Sequence, residues 1–104
     1  MPRTSYEVVL DADARYRVEF SRRRKKIVQF LVQLEFCHGG GFHPVLRFDT
    51  AHGFAHCDSY RSDGSVIRHD PMAAADFSDA LTVAVQDVLE NWEEYVRPFR
   101  RKHS

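Results

Sequence analysis

The sequence lacks the features that mark several protein classes. Cys37 and Cys57 are its only cysteines and form no Cys-x-x-Cys pair, whereas a structural zinc site needs four clustered ligands. No apolar run approaches the ~18 residues of a membrane span, so we expect no membrane partner. No basic start followed by an apolar run opens the chain, which predicts a cytoplasmic protein without a secretion signal. No repeat or linker divides the 104 residues, which predicts one domain over 1–104.

A net charge is also missing, because 15 basic and 15 acidic residues cancel. The charges are nevertheless segregated. Residues 76–96 hold six acids and no Lys or Arg, whereas residues 15–26 hold one acid and seven basic residues. Segregation of this kind can steer a polyanion to one face. The candidate nucleic-acid contacts are therefore Arg15, Arg17, Arg22, Arg23, Arg24, Lys25 and Lys26, although a solvated turn at 22–26 explains the same run.

Alternating polar and apolar residues dominate the first two thirds of the chain, which is typical of half-buried strands. We predict strands within residues 6–69, at 6–10, 15–21, 26–37, 45–50, 54–61 and 65–69. Glycine has too much freedom to hold a strand, so the three glycines at 39–41 predict the loop of a wide hairpin.

The spacing then changes to threes and fours, which is typical of an amphipathic helix. We predict this helix over about 76–97, with Asp76 as its N-cap and a basic tail at 98–104. Because Pro98 cannot continue the backbone hydrogen bonds, the regular helix should stop or bend near Val96. The fold class is α+β: an antiparallel meander of about five strands with one long C-terminal helix packed on one face. The other sheet face is left uncovered.

The densest polar cluster lies at residues 47–58. If His52 and Gly53 form the tip of a tight hairpin, Asp49 lies opposite His56 and Arg47 lies opposite Asp58. The hydrophobic pattern favours this register, which places these four side chains on the uncovered face with His52 at its rim.

Three interpretations of this cluster stay open. The side chains can form a purely structural ladder of cross-strand ion pairs. They can also bind a metal, since Asp49, His52, His56 and Asp58 are all competent ligands; the His-x3-His spacing, however, points to a metal only on a helix. The third interpretation is acid–base chemistry by a histidine that an aspartate holds, beside an arginine that stabilises developing phosphorane charge.

The run Arg-Phe-Asp-Thr-Ala-His-Gly-Phe-Ala-His at 47–56, with the segments 30–35 and 89–92, resembles a small uncharacterised bacterial family that brings no established activity. Its Arg-aromatic-Asp-x-Ala-His core, followed by a further histidine, is also similar to TumE-type toxins of toxin–antitoxin pairs. That second resemblance implies action on RNA and an antitoxin partner. Its motif maps onto Arg47, Asp49, His52 and His56.

We therefore expect a small RNA-acting protein, namely a metal-independent endoribonuclease without a cofactor. His56, supported by Asp49, would be the acid–base group, with His52 as its partner and Arg47 as the phosphate clamp. The alternative is a non-catalytic module that binds nucleic acid or a protein, or that forms a homodimer through the uncovered face. His38, His43 and His69 are expected to be surface imidazoles and His103 part of a frayed tail.

Overall fold

A computed structural model describes residues 3–51 and 53–103 and contains one antiparallel sheet with one helix. The α+β class is thus confirmed, but the sheet has six strands, where about five were predicted. The strands are paired in chain order: β1 Arg3–Asp11, β2 Ala14–Arg23, β3 Lys26–His38, β4 Gly41–Asp49, β5 His56–Tyr60 and β6 Val66–Pro71. The helix α1 covers Phe77–His103. In the described part of the chain, no helix is long and apolar enough to cross a bilayer.

The core lies between one face of the sheet and α1. Alternate residues of β3 are buried toward the helix, as the period of two predicts: Phe30, Val32, Leu34 and Phe36. The helix contributes buried residues at helical spacing: Ala80, Ala84, Val88, Val96 and Phe99. Because α1 packs against β3 and β4, no element within residues 3–51 and 53–103 covers the opposite side of the sheet. We call this side the open face.

The helix does not end at 97 as predicted, but continues through Pro98 to His103. Proline removes one backbone hydrogen bond, yet tertiary contacts hold the last turns in place. Phe99 is 3% exposed and its ring centroid lies 5.8 Å from that of Phe36. Arg100 donates to Asp13 at 2.8 and 3.0 Å and to Asp11 at 3.1 Å. The predicted basic tail is therefore helical over its described residues.

The C-terminal histidine also differs from expectation. His103 is the last helical residue, and its ring stacks on that of His38 with centroids 3.8 Å apart. His43 stacks on the other side of His38 at 3.7 Å. His38 and His43 are only partly exposed, so neither is the simple surface imidazole that the sequence predicted.

Two hairpin turns have two successive residues with left-handed backbone. Gly39 and Gly40 have φ of 60° and 84°, and His38 pairs with Gly41; the glycines form a two-residue turn, so the predicted wide loop is wrong. Arg24 and Lys25 adopt the same region with φ of 52° and 68°. For residues with a Cβ, this region costs roughly 1–2 kcal/mol each. The exposed tip of the β2–β3 hairpin therefore carries strained, basic residues.

Candidate functional site

The β4–β5 pair has the register predicted from the hydrophobic pattern. Asp49 pairs with His56 and Arg47 pairs with Asp58, and these side chains lie on the open face because the alternating Phe48 and Cys57 pack toward the core. The predicted positions of the Asp–His pair are thus confirmed.

The connection between these strands is wider than predicted. β4 ends at Asp49 and β5 begins at His56. The Gly53 N–H donates to the Thr50 carbonyl at 3.0 Å, and Thr50 Oγ1 accepts the Phe30 N–H at 3.1 Å. Among the described residues, the β4–β5 pairing stops at Asp49 and His56, so it does not continue up to the predicted tip. His52 lies outside the described residues, and its predicted role stays a prediction.

His56 and Asp49 form the inner pair of the site. Nε2 of His56 lies 2.8 Å from Oδ1 of Asp49, and Nδ1 lies 3.3 Å from the Phe54 carbonyl oxygen. The imidazole is only 2% exposed. Both nitrogens therefore face oxygen atoms, and the ring is held in one orientation beneath the surface.

His69 and Asp58 form the outer pair. Nδ1 of His69 is hydrogen-bonded to Oδ1 of Asp58, and the His69 side chain is 48% exposed. The two pairs are adjacent: Oδ2 of Asp58 lies 3.9 Å from Nε2 of His56, and the two imidazole centroids are 4.6 Å apart. Asp49, His56, Asp58 and His69 together are called the His/Asp cluster below.

His69 was expected to be a surface imidazole, and its place in the cluster was not predicted. A signal for it was present in the residues Ser62-Asp63-Gly64, which are typical of a turn and lie between the predicted strands 54–61 and 65–69. Counting outward from a tip at Asp63 and Gly64 pairs Asp58 with His69, as the structure shows. Because His69 lies on the next strand, it joins the cluster only through the β5–β6 register.

Arg47 connects the His/Asp cluster to a second polar network. Its Nε donates to Gln33 Oε1 at 2.6 Å, and its guanidinium carbon lies 6.0 Å from the Tyr60 ring centroid. Gln33 in turn donates to the buried carboxylate of Glu35. Among the described residues, the Gln33 bond is the one hydrogen bond of the Arg47 guanidinium to the protein, so its Nη atoms can serve an anionic oxygen.

Glu35 forms ion pairs with two of the predicted nucleic-acid contacts, Arg15 and Arg17, which also pair with Glu7 and Glu19, respectively. Arg15 Nε donates to Glu35 at 2.7 Å and Arg17 Nε at 3.0 Å. Burial opposes ionisation of Glu35, but the hydrogen bonds from Arg15, Gln33 and Arg17 outweigh it and hold the pKa below its ordinary value of 4.5. Arg15 and Arg17 thus lie on the open face, as the alternation predicted, but their charges are compensated there.

The other predicted contacts, at 22–26, are all exposed; we call these five residues the basic turn. They lie at the same end of the sheet as the His/Asp cluster, because Leu31 of β3 pairs with Asp49 and Lys26 begins that strand. Five residues of strand separate the two positions by about 17 Å. A groove of about 290 Å³ that includes Gln29, Leu31 and Asp49 lies between them.

Comparison with known proteins places the chain in a family. No curated protein and no solved structure matches it. A family described as a domain of unknown function, DUF7718, matches residues 1–104. The expectation of an uncharacterised domain family is confirmed at this level, while the likeness to TumE-type toxins stays a prediction. The chain belongs to the DUF7718 family.

Proposed function

We propose that this protein acts on RNA as a metal-independent endoribonuclease, with the His/Asp cluster as its reactive centre. One observation carries the proposal: a half-exposed imidazole, His69, is held by a carboxylate directly beside a second, buried Asp–His pair. An imidazole oriented by a carboxylate can exchange a proton near neutral pH.

RNA supplies its own nucleophile, so the protein must mainly move protons and stabilise charge. The 2′-hydroxyl oxygen attacks the adjacent phosphorus while Nε2 of His69 takes its proton. The bond from phosphorus to the 5′-oxygen breaks, and that oxygen takes a proton from a general acid. The products are a 2′,3′-cyclic phosphate and a free 5′-hydroxyl. His52 is our candidate for the acid, a role that rests on sequence alone.

The different exposures of His56 and His69 support different roles for the two histidines. Substrate must reach the acid–base group, and His56 is 2% exposed whereas the His69 side chain is 48% exposed. We therefore assign the role of acid–base group, which was expected for His56, to His69. His56 and Asp49 become positioning residues that hold the buried side of the cluster in place.

Arg47 and the basic turn complete the proposal. Arg47 pairs with Asp58 across β4 and β5, and its guanidinium would stabilise charge that develops on a phosphate bound over this pair. The basic turn would guide the RNA backbone along the groove at this end of the sheet. The many charged side chains of the open face argue against self-association through apolar contacts.

The test is cleavage of labelled single-stranded and structured RNA in EDTA. We expect cleavage by the wild-type protein and by His103→Ala, a matched control that removes an exposed histidine far from the cluster. We expect a loss of about 100-fold or more in His69→Ala, a comparable loss in His52→Ala, and a cyclic phosphate on the product. Far-UV circular dichroism checks that each variant is folded.

Two outcomes contradict the proposal. Full activity in His69→Ala would remove the assigned acid–base group. Binding of RNA without cleavage, lost when Arg22, Arg23 and Lys26 are changed to Gln, would favour the alternative of a non-catalytic binding module. An antitoxin partner stays a prediction from the weaker resemblance.

A further inference from the structure

The His/Asp cluster also has the donor set of a metal site. His56, Asp58 and His69 each offer one ligand atom, and these atoms lie within 4.8 Å of one another. Asp49 adds a carboxylate oxygen 2.8 Å from Nε2 of His56. Two imidazole nitrogens with carboxylate oxygens are a typical ligand set for divalent transition ions such as Zn²⁺.

The surroundings of His56 resemble the support that metal-binding histidines have. Its Nδ1 lies 3.3 Å from the Phe54 carbonyl oxygen, which can only accept, so Nδ1 carries a proton. In metal sites, such a bond from the second ring nitrogen to a backbone carbonyl fixes the tautomer and points the other nitrogen at the ion. Burial of His56 keeps the ring in this orientation, with Nε2 directed toward the two carboxylates.

Charge and access also suit an ion. Metal binding would release the proton that Nε2 of His56 shares with Asp49. With both imidazoles then neutral, the carboxylates of Asp49 and Asp58 supply two negative charges, which one divalent cation would neutralise. Asp49 and Asp58 are largely covered, with side chains 13% and 16% exposed. His69 lies on the exposed strand β6, so an ion can enter from solvent on that side.

We propose that Nε2 of His56, Nδ1 of His69 and the carboxylate of Asp58 bind a divalent transition-metal ion of the Zn²⁺ type, with Asp49 beside them, and that the bound ion blocks RNA cleavage. The block has a structural reason. A metal ion on Nδ1 displaces the hydrogen bond to Asp58 and leaves the single proton of His69 on Nε2, which can then accept none. This inhibitory effect rests on the proposed function, whereas the metal site itself does not.

The test for the site is calorimetric titration of Zn²⁺ into the full chain after treatment with EDTA and its removal. We expect one ion per chain in the wild type and in His103→Ala. Affinity should fall about tenfold or more in His69→Ala and, independently, in Asp58→Asn. The second variant keeps the proposal testable if the first fails to fold, and the His103→Ala control excludes the stacked histidines as the site.

The test for the block is the RNA cleavage assay with and without one equivalent of Zn²⁺. We expect at least tenfold slower cleavage with Zn²⁺ and recovery on adding EDTA. No heat of binding, or a heat that is lost in His103→Ala and kept in His69→Ala, would overturn the site. Binding that leaves cleavage unchanged or accelerates it would overturn the block. If no RNA is cleaved in EDTA, the proposed function and the block both fail, and the calorimetry still decides the site.

Discussion

Oδ1 of Asp49 lies 2.8 Å from Nε2 of His56, across two paired strands and beneath the surface of the open face. A slip of one residue in this register would send one partner into the core beside the helix. The apolar residues that alternate with Asp49 and His56 along these strands are buried on the helix side. A slip of the strand pair would therefore expose these apolar residues. The core thus holds the Asp–His pair together, independently of any ligand.

Removing the Asp49 carboxylate should destabilise the fold. Asp49→Ala leaves a buried imidazole nitrogen without its partner, which costs about 1–3 kcal/mol in the free energy of unfolding. Urea denaturation measures this loss. Asp70→Ala is the matched control, because that side chain is 52% exposed and a surface change of this kind stays within about 0.5 kcal/mol. Equal losses in the two variants would contradict a buried, partnered His56.

The basic turn should lower the stability of the fold while it supplies positive charge for RNA binding. Replacing Arg24 with Asn and Lys25 with Gly introduces residues that favour the left-handed backbone seen there, so we expect a gain of about 1 kcal/mol in urea denaturation. The same variant should bind RNA more weakly in a filter-binding assay. Arg22→Gln with Arg23→Gln is the control, since it removes two charges from extended backbone. This control should weaken RNA binding without stabilising the fold; stabilisation by both variants would argue against backbone strain.

The end of α1 should depend on Arg100. Arg100→Ala removes the bonds to Asp13 and Asp11, and a largely exposed ion pair contributes up to about 1 kcal/mol. Amide hydrogen exchange in residues 99–103 should therefore become up to about fivefold faster. Lys102→Ala, at an exposed position of the same turn, should change the exchange little. Unchanged protection in Arg100→Ala would show that the ring contacts of Phe99 and His103 hold this end without Arg100.

Acid should weaken the network around Glu35. Burial raises the pKa of this carboxyl, but the hydrogen bonds from Arg15, Gln33 and Arg17 lower the pKa by more than burial raises it. The net pKa therefore lies below the ordinary value of 4.5. A depressed folded-state pKa stabilises the fold above the unfolded-state value, and this contribution disappears as the pH falls through the folded-state pKa.

Glu35→Gln tests this linkage. The variant should be less stable than the wild type at about pH 7, and the difference should shrink as the pH falls through the lowered folded-state pKa of Glu35. Urea denaturation over a series of pH values from neutral into the acid range measures it. Glu93→Gln, on an exposed position of α1, is the control. A difference that stays constant with pH would show that ionised Glu35 does not stabilise the fold.

Local sequence patterns predicted those strands and helical turns whose structure depends on local spacing alone. Alternation marked β2 and β3 because each strand places apolar residues on the helix side and polar residues on the open face, and the apolar spacing after Phe77 marked the helix. The prediction that the helix ends before Pro98 was wrong because tertiary contacts outweigh the local effect of proline on the helix. Burial of Phe99 and the ion pairs of Arg100 offset the backbone hydrogen bond that proline cannot make.

The glycines at 39–41 show the same limit in a turn. Their freedom predicted a loop, but freedom also allows the positive φ of a tight hairpin. The neighbouring strands decided between these outcomes, since His38 and Gly41 continue the β3–β4 pairing up to the turn.

The pairing of Asp49 with His56, and the face that carries it, followed from the order of residues alone, because a period of two with one buried face permits one register. Tertiary structure alone decided how those groups are used. It placed His69 beside Asp58, buried His56 and paired Arg15 and Arg17 with Glu35. The physical reason is that accessibility and charge compensation depend on side chains from neighbouring strands, which no local pattern along one strand contains.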